Sequence, residues 1–223
     1  MNNKLYVNNL DLLKKEEISH GCNGICYKTQ DNMVFKQIYN PNEKNLLELS
    51  KLYSPSFIFP SKLVYYQNRL IGYIMEYVDG VTIKNIDLNI KTDDYIKQTD
   101  KIENEIAVLT NYRVHLLDVG INNIMIDKNG NIKIIDTDFY SIKSKLNNLY
   151  SLNLISYNYG VLYPITDISK NNFKSVTLNK YSKLVLCGKM LPSDFIIELE
   201  NFLNKENLEH NNLYEIKRNL KKL

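Results

Sequence analysis

Residues 117–138 read LDVGINNIMIDKNGNIKIIDTD, and this stretch carries the most fold information in the chain. Two short apolar runs flank the pair Asn129-Gly130, and such a pair between apolar runs is the strongest short signal for a β-hairpin. An acidic residue stands on each side of the predicted hairpin, since Asp118 precedes its first strand and Asp136 ends its second. The stretch therefore predicts a hairpin that brings polar side chains to its ends.

Toward the N-terminus, the chain is predicted to be rich in strands. A glycine-bearing turn at residues 19–24 leads into an alternating segment, and further strands are predicted at residues 33–38, 62–66 and 70–77. A short helix is predicted at residues 42–52, because leucines recur there at a spacing of three and prolines flank it. The predicted order is strand, strand, strand, helix, strand, strand.

Toward the C-terminus, the patterns favour helices. One helix is predicted at about residues 94–110, and the largely apolar residues 152–163 predict a buried helix. Ser193 is predicted to cap a further helix with a clean apolar face, and the basic residues 213–223 predict an amphipathic tail. We place the hinge between the strand-rich and helix-rich parts at residues 78–80.

The composition excludes several classes of protein. The 223 residues carry 28 Lys+Arg against 25 Asp+Glu, and this near balance argues against a nucleic-acid partner. No apolar run approaches the 18 residues of a membrane span, and no secretory signal is visible. Three cysteines are too few for a disulfide framework, so we expect a reducing, cytoplasmic setting. With 31 Asn and 25 Lys in the chain, only ordered sets of motif matches carry weight.

One such ordered set runs through residues 15–165. It joins a glycine turn, a strand lysine, a helix glutamate, a loop Asp-x4-Asn and a strand-end aspartate, namely Gly21, Gly24, Lys36, Glu48, Asp118, Asn123 and Asp136. In its order and spacing this set resembles the protein-kinase fold family. The resemblance implies an α+β, bilobal fold: an N-lobe with an antiparallel sheet over residues 1–78, and a reduced helical C-lobe over residues 79–223.

The resemblance implies a nucleotide-binding role for the first half of the set. Gly21 and Gly24 would let backbone N–H groups approach phosphate without an intervening side chain. Lys36 would place its positive charge on the ATP phosphates, and Glu48 would hold Lys36 as an ion pair. Glu43 lies on the same predicted helix, and we favour Glu48 because Leu52 follows it by one turn.

The remaining residues would complete a catalytic site. In the hinge, Met75 would be the gatekeeper, and the backbone of Glu76 and Val78 would bond the adenine. Asp118 would accept the proton of the substrate hydroxyl. Oxygen ligands for Mg²⁺, or for Mn²⁺ in its place, would come from Asn123, Asp136 and Asp138.

The sequence also departs from the family pattern. Ser19 replaces the first glycine of the loop, and Leu117 precedes Asp118 where kinases carry an arginine. Val119 and Gly120 follow, so the usual lysine near the transferred phosphate is missing. The segment after Asp136 has no long activation loop, and we expect Ile155 where kinases bury an aspartate that anchors the catalytic loop.

The prediction is a monomeric protein kinase that transfers the ATP γ-phosphate to a Ser or Thr hydroxyl, with Tyr less favoured. Without the usual activation switch, it would be constitutively active or gated by a partner. Small-molecule kinases of the aminoglycoside or choline type are an alternative. They usually carry a larger helical lobe lined with acidic residues, whereas little more than 80 residues follow Asp136 here and no acidic cluster stands out among them. A nucleotide-binding pseudokinase that acts as an interaction module, and an enzyme that transfers AMP, are further alternatives. Such minimal kinases resemble bacterial effectors delivered to host cells and phage-encoded enzymes.

Overall fold

A six-stranded sheet and one short helix form the N-terminal part of the chain. The computed structural model describes residues 3–166, 168, 173 and 175–221. The elements of the N-terminal part are strands β1 (Lys4–Val7), β2 (Glu16–Gly21), β3 (Gly24–Lys28) and β4 (Met33–Ile38), helix α1 (Glu43–Leu49), and strands β5 (Lys62–Tyr66) and β6 (Arg69–Glu76). The strands and the helix predicted here are confirmed, and β1 is an addition.

The sheet has the order β1-β5-β6-β4-β3-β2. All neighbouring strands run antiparallel except β1 and β5, which pair in parallel with Lys4 opposite Leu63. The prediction of a wholly antiparallel sheet is therefore wrong, and the sheet is mixed. The four residues of β1 carry too little pattern to reveal a partner more than 50 residues away in sequence.

Helix α1 is capped by a side chain at its N-terminus and buries one face. The Asn42 side chain caps its N-terminus by accepting a hydrogen bond from the Asn45 N–H. Leu46 and Leu49 are buried, and they fix which face of the helix lies against the protein.

Helices dominate the C-terminal part. The elements are β7 (Gly80–Thr82), α2 (Thr92–Asn111), β8 (Ile124–Asp127), β9 (Ile132–Ile134), α3 (Leu149–Leu162), α4 (Val176–Leu186), α5 (Pro192–Lys205) and α6 (Leu213–Leu220). The three strands form a small antiparallel sheet of order β7-β8-β9, in which β7 comes before the longest helix, α2, and the other two strands come after it. The chain is therefore of the α+β class. The last residues of the predicted tail, 222 and 223, lie outside the described residues.

The predicted hairpin is confirmed as β8 and β9. The carboxylate of Asp127 closes its turn by accepting from the backbone N–H groups of Asn129 and Asn131, and Gly130 has a φ of +82°. Only glycine adopts that conformation freely, which explains the Asn-Gly signal. Ile124 and Ile134, one on each strand, are fully buried.

Two predictions about the helices need correction. Helix α5 begins at Pro192 after Leu191, so Ser193 lies inside the first turn and does not cap it. Its backbone N–H and its hydroxyl both donate to the carboxylate of Glu103 on α2. Helix α3 is buried only in part, because Ile155 and Tyr159 are 40% and 46% exposed.

Across residues 3–166, 168, 173 and 175–221, no helix combines the length and the apolar character needed to cross a membrane.

Candidate functional site

A cavity of about 640 Å³ lies between the β2–β3 turn, strand β4, the end of β6 and the segments around residues 118 and 136. This volume falls in the range of pockets that bind small organic ligands. Nine of the eleven predicted site residues line it: Gly21, Gly24, Lys36, Met75, Glu76, Val78, Asp118, Asn123 and Asp136. The other two, Glu48 and Asp138, do not.

Lys36 lies on β4 at the inner wall of the cavity with its side chain only 6% exposed. Its ammonium group donates to Asp136 and, over 2.9 Å, to Oδ1 of Asp138. Burial alone would lower the pKa of Lys36, but the charges of Asp138 and Asp136 and their hydrogen bonds raise it above its usual value. Lys36 is therefore a fixed positive charge.

The two aspartates differ in their surroundings. The Asp136 side chain is 28% exposed and faces the cavity, whereas that of Asp138 is 6% exposed and borders a separate cavity of about 290 Å³. Burial and a hydrogen bond with Asp136 raise the pKa of Asp138 to about 6. Burial opposes ionisation of Asp136 too, but hydrogen bonds from Asp138 and Lys36 and the lysine charge lower its pKa. Asp136 is thus the more readily ionised of the two aspartates, and it is the one that faces the cavity.

The predicted ion pair between Glu48 and Lys36 is absent. Glu48 instead accepts a hydrogen bond from Lys51 over 2.7 Å. Burial of Leu46 and Leu49 sets the rotation of α1 and leaves Glu48 on its outer side. The alternative residue, Glu43, also lies elsewhere, because it accepts from the hydroxyl of Tyr65.

The predicted catalytic residues Asp118 and Asn123 are held together in one loop. The Asn123 side-chain amide donates to the backbone oxygen of Asp118 over 2.8 Å and to its carboxylate over 3.3 Å. Asp118 and Asp136 both have left-handed backbone conformations, with φ of 58° and 62°. Residues other than glycine adopt this conformation rarely, and such residues concentrate at functional sites.

The anchor of this loop is Asn153 on α3, a residue that the sequence reasoning missed. Asn153 is fully buried, its carbonyl accepts from the Leu116 N–H, and its amide donates to the Val114 carbonyl and the Thr110 hydroxyl. The expectation that Ile155 stands at the anchor position is wrong, since Ile155 is 40% exposed and the buried anchor is Asn153. A search for a buried amide in place of a buried aspartate would have found Asn153.

The two glycines of the turn serve different needs. A Cβ added to Gly24 would lie 2.0 Å from the backbone oxygen of Gln37, so the close approach of β3 and β4 requires glycine there. A Cβ added to Gly21 would meet no neighbouring atom closer than 4.0 Å. Packing therefore does not require a glycine at position 21, and Gly21 borders the cavity.

The hinge presents backbone groups to the cavity. Val78 is 8% exposed and lines the cavity, and within the described ranges no hydrogen bond joins its backbone N–H or C=O to another residue. Buried backbone groups are almost always paired, so these atoms are suited to bonding a ligand. Met75 and Met125 add apolar surface nearby.

The residues that line the cavity supply part of a binding site for a small cation with oxygen ligands. Asp136 and Asn123 both line the cavity, and carboxylate and amide oxygens are the ligands that such a cation takes. Asp138 is turned toward Lys36 and Tyr73, so its predicted role as a ligand of a second metal finds no support in its position. Among the residues that the structure describes, no three His, Cys, Asp or Glu side chains gather into a metal site.

No family model matches the chain, and no curated protein shows significant sequence similarity to it.

Proposed function

We propose that the chain is an ATP- and Mg²⁺-dependent phosphotransferase of protein-kinase-like, bilobal architecture. One observation carries the proposal: Lys36, Asp118, Asn123 and Asp136 converge on one cavity. These residues come from segments up to 100 positions apart, and they are the residue types that phosphoryl transfer uses for positioning and charge neutralisation.

The proposed nucleotide site uses the whole length of the cavity. The free backbone groups of Val78 would bond the adenine, and Met75 and Met125, which line the same cavity, would pack against its ring. Gly21 would leave room for phosphate, and Lys36 would neutralise phosphate charge. Asp136 and Asn123 would hold Mg²⁺, which when bound neutralises charge on the phosphates.

The proposed reaction moves the γ-phosphoryl group from ATP to an acceptor hydroxyl. The bond between the γ-phosphorus and the bridging oxygen breaks, ADP leaves, and a new phosphorus–oxygen bond forms to the acceptor. Asp118 would accept the hydroxyl proton, and its exposure at the cavity edge suits a group that meets an incoming acceptor. We propose a Ser or Thr side chain of a protein as the acceptor.

The test is incubation of the purified chain with Mg²⁺, a lysate of candidate proteins and ATP labelled at either the γ- or the α-phosphate. We expect γ-label to enter protein and α-label to remain in nucleotide. Transfer of α-label would indicate AMP transfer, and γ-label on a small molecule would indicate a small-molecule kinase.

Two outcomes without label transfer remain, and the melting temperature distinguishes them. A melting temperature that rises with ATP and Mg²⁺, without label transfer, would favour a nucleotide-binding module. A chain that shows no label transfer and no rise in melting temperature would refute the proposed function.

A further inference from the structure

Lys36 is a buried cation, and its counter-charge does not come from helix α1. A buried ammonium without an opposite charge is costly, so the fold must supply a carboxylate. The two glutamates of α1 are engaged elsewhere, Glu43 with Tyr65 and Lys4, and Glu48 with Lys51. The carboxylates that Lys36 contacts are those of Asp136 and Asp138.

These two carboxylates are not equivalent. Asp136 faces the cavity, where a bound cation would compete with Lys36 for it. Asp138 is set back from the cavity and accepts from both Lys36, at 2.9 Å, and the hydroxyl of fully buried Tyr73, at 3.2 Å. Asp138 can therefore keep its contact with Lys36 while Asp136 serves a ligand.

The backbone that carries Asp138 is fixed from two further directions. The side-chain amide of Asn45 on α1 donates to the backbone oxygens of Asp138 and Tyr140, over 3.3 Å and 2.8 Å. The buried hydroxyl of Thr137 donates to the carbonyl of Ile58 over 2.8 Å. The turn at residues 136–140 is thus tied both to α1 and to the segment that precedes β5.

We propose that Asp138 is the positioning residue for Lys36 and takes the role expected of a glutamate on α1. The proposal rests on the proposed function, because it concerns how Lys36 is presented to the phosphates. Its consequence is that the turn at residues 136–140 has two roles. It positions Lys36 through Asp138, and it carries the cavity-facing carboxylate of Asp136. The site is then complete without any rotation of α1.

A double-mutant cycle on nucleotide affinity tests this role. We would measure the Kd for ATP in EDTA by calorimetry, since removing metal isolates the contribution of Lys36. Loss of the charged hydrogen bond in Asp138→Asn should weaken ATP binding about tenfold. Lys36→Met should weaken it at least as much, and the double variant should bind no more weakly than Lys36→Met alone.

The cycle separates positioning from general structure. A residue that merely stabilises the fold would lower affinity by the same factor in both backgrounds, so independent effects would overturn the proposal. Glu48→Gln and Glu43→Gln are the matched controls and should bind ATP like the wild type. An Asp138→Asn protein with wild-type affinity, or a Glu48→Gln protein with a tenfold loss, would also overturn it.

A second variant covers the case in which Asp138→Asn does not fold. Tyr73→Phe removes one hydrogen bond to Asp138 and keeps the buried ring, and it should weaken ATP binding in the same direction by a smaller factor. A fully folded Tyr73→Phe protein with unchanged affinity would then decide against the role. A wild-type chain that binds no ATP either in EDTA or with Mg²⁺ would refute the proposed function itself, which distinguishes the two failures.

Discussion

Two buried ionisable side chains, Lys36 beside the cavity and Glu103 in the helical core, have opposite surroundings. Lys36 meets two carboxylates, and the attraction raises its pKa despite burial. Glu103 is 2% exposed and is bonded by the neutral Ser193, and burial raises its pKa to about 7. The fold therefore keeps the charge at Lys36 and suppresses the charge at Glu103.

This difference separates a charge that a ligand in the cavity could meet from a carboxyl group that joins two helices. A compensated charge beside an open cavity is available to a ligand, whereas a carboxyl group sealed between α2 and α5 is not. We therefore expect variants near the cavity to change binding or transfer at nearly constant stability. Variants of buried polar residues in the helical part should change stability first.

The largest expected effect concerns Asp118. Asp118→Asn keeps the shape of the side chain and tolerates the left-handed backbone, but it cannot accept the acceptor proton. The initial rate of γ-phosphate transfer should fall about 10²- to 10⁴-fold, while the melting temperature stays close to that of the wild type. Asp31→Asn, in an exposed hairpin turn, is the control and should leave the rate unchanged. An undiminished rate in Asp118→Asn would remove Asp118 from its role.

Substitution of Asn153 should have the next largest effect, and this effect should fall on the stability of the fold. Asn153→Ala leaves the Leu116 N–H and the Val114 carbonyl unpaired in the interior, which should cost about 3 kcal/mol of unfolding free energy. Denaturant titration measures this cost. The comparison variant Ile155→Ala, two positions along the same helix, should lose about 1 kcal/mol or less. A larger loss at Ile155 would contradict the assignment of the anchor.

Glu103 should make stability depend on pH. Because its folded pKa, about 7, lies above its ordinary value of 4.5, the folded state holds more protons than the unfolded state between these values. Stability should thus fall as pH rises through about 4.5 to 7, by on the order of 3 kcal/mol at most. In Glu103→Gln this decline should be missing from melting curves taken across that range. An equally steep decline in the variant would assign it to other groups.

The two glycines of the β2–β3 turn should separate binding from folding. Gly21→Ala places its methyl group in open space, so stability should change by less than about 1 kcal/mol, while the methyl group should weaken ATP binding several-fold. Gly24→Ala clashes with the Gln37 carbonyl and should lower the melting temperature. Calorimetric Kd values and melting curves check both. Unchanged ATP affinity in Gly21→Ala would contradict the phosphate-binding role of the turn.

Glu48 should show the smallest effect. Its contact with Lys51 is exposed, and such pairs contribute little to stability. Glu48→Gln should therefore match the wild type in transfer rate and in melting temperature. A loss of transfer comparable to that of a Lys36 variant would restore Glu48 as the partner of Lys36.

Local patterns predicted most of the secondary structure correctly. The β8–β9 hairpin follows from its turn residues, α2 from the period of Ile102, Ile106 and Leu109, and β4 to β6 from short apolar runs between turns. The list of cavity residues was also largely predictable, because the ordered spacing of Asp118, Asn123 and Asp136 is itself a local signal. Ser193 shows the limit, since it lies inside the first turn of the helix that it was predicted to cap, and its side chain donates to Glu103.

By itself, the sequence determined the hairpin, the helices and the set of polar residues at their ends, because turn chemistry and periodicity act over a few residues. Tertiary structure alone decided that Asp138, and not Glu48, holds Lys36, that Asn153 anchors the loop of Asp118, and that β1 joins the sheet in parallel. Each of these depends on contacts between residues about 40 to 100 positions apart. Such contacts are set by how buried faces pack, and no local pattern encodes that choice.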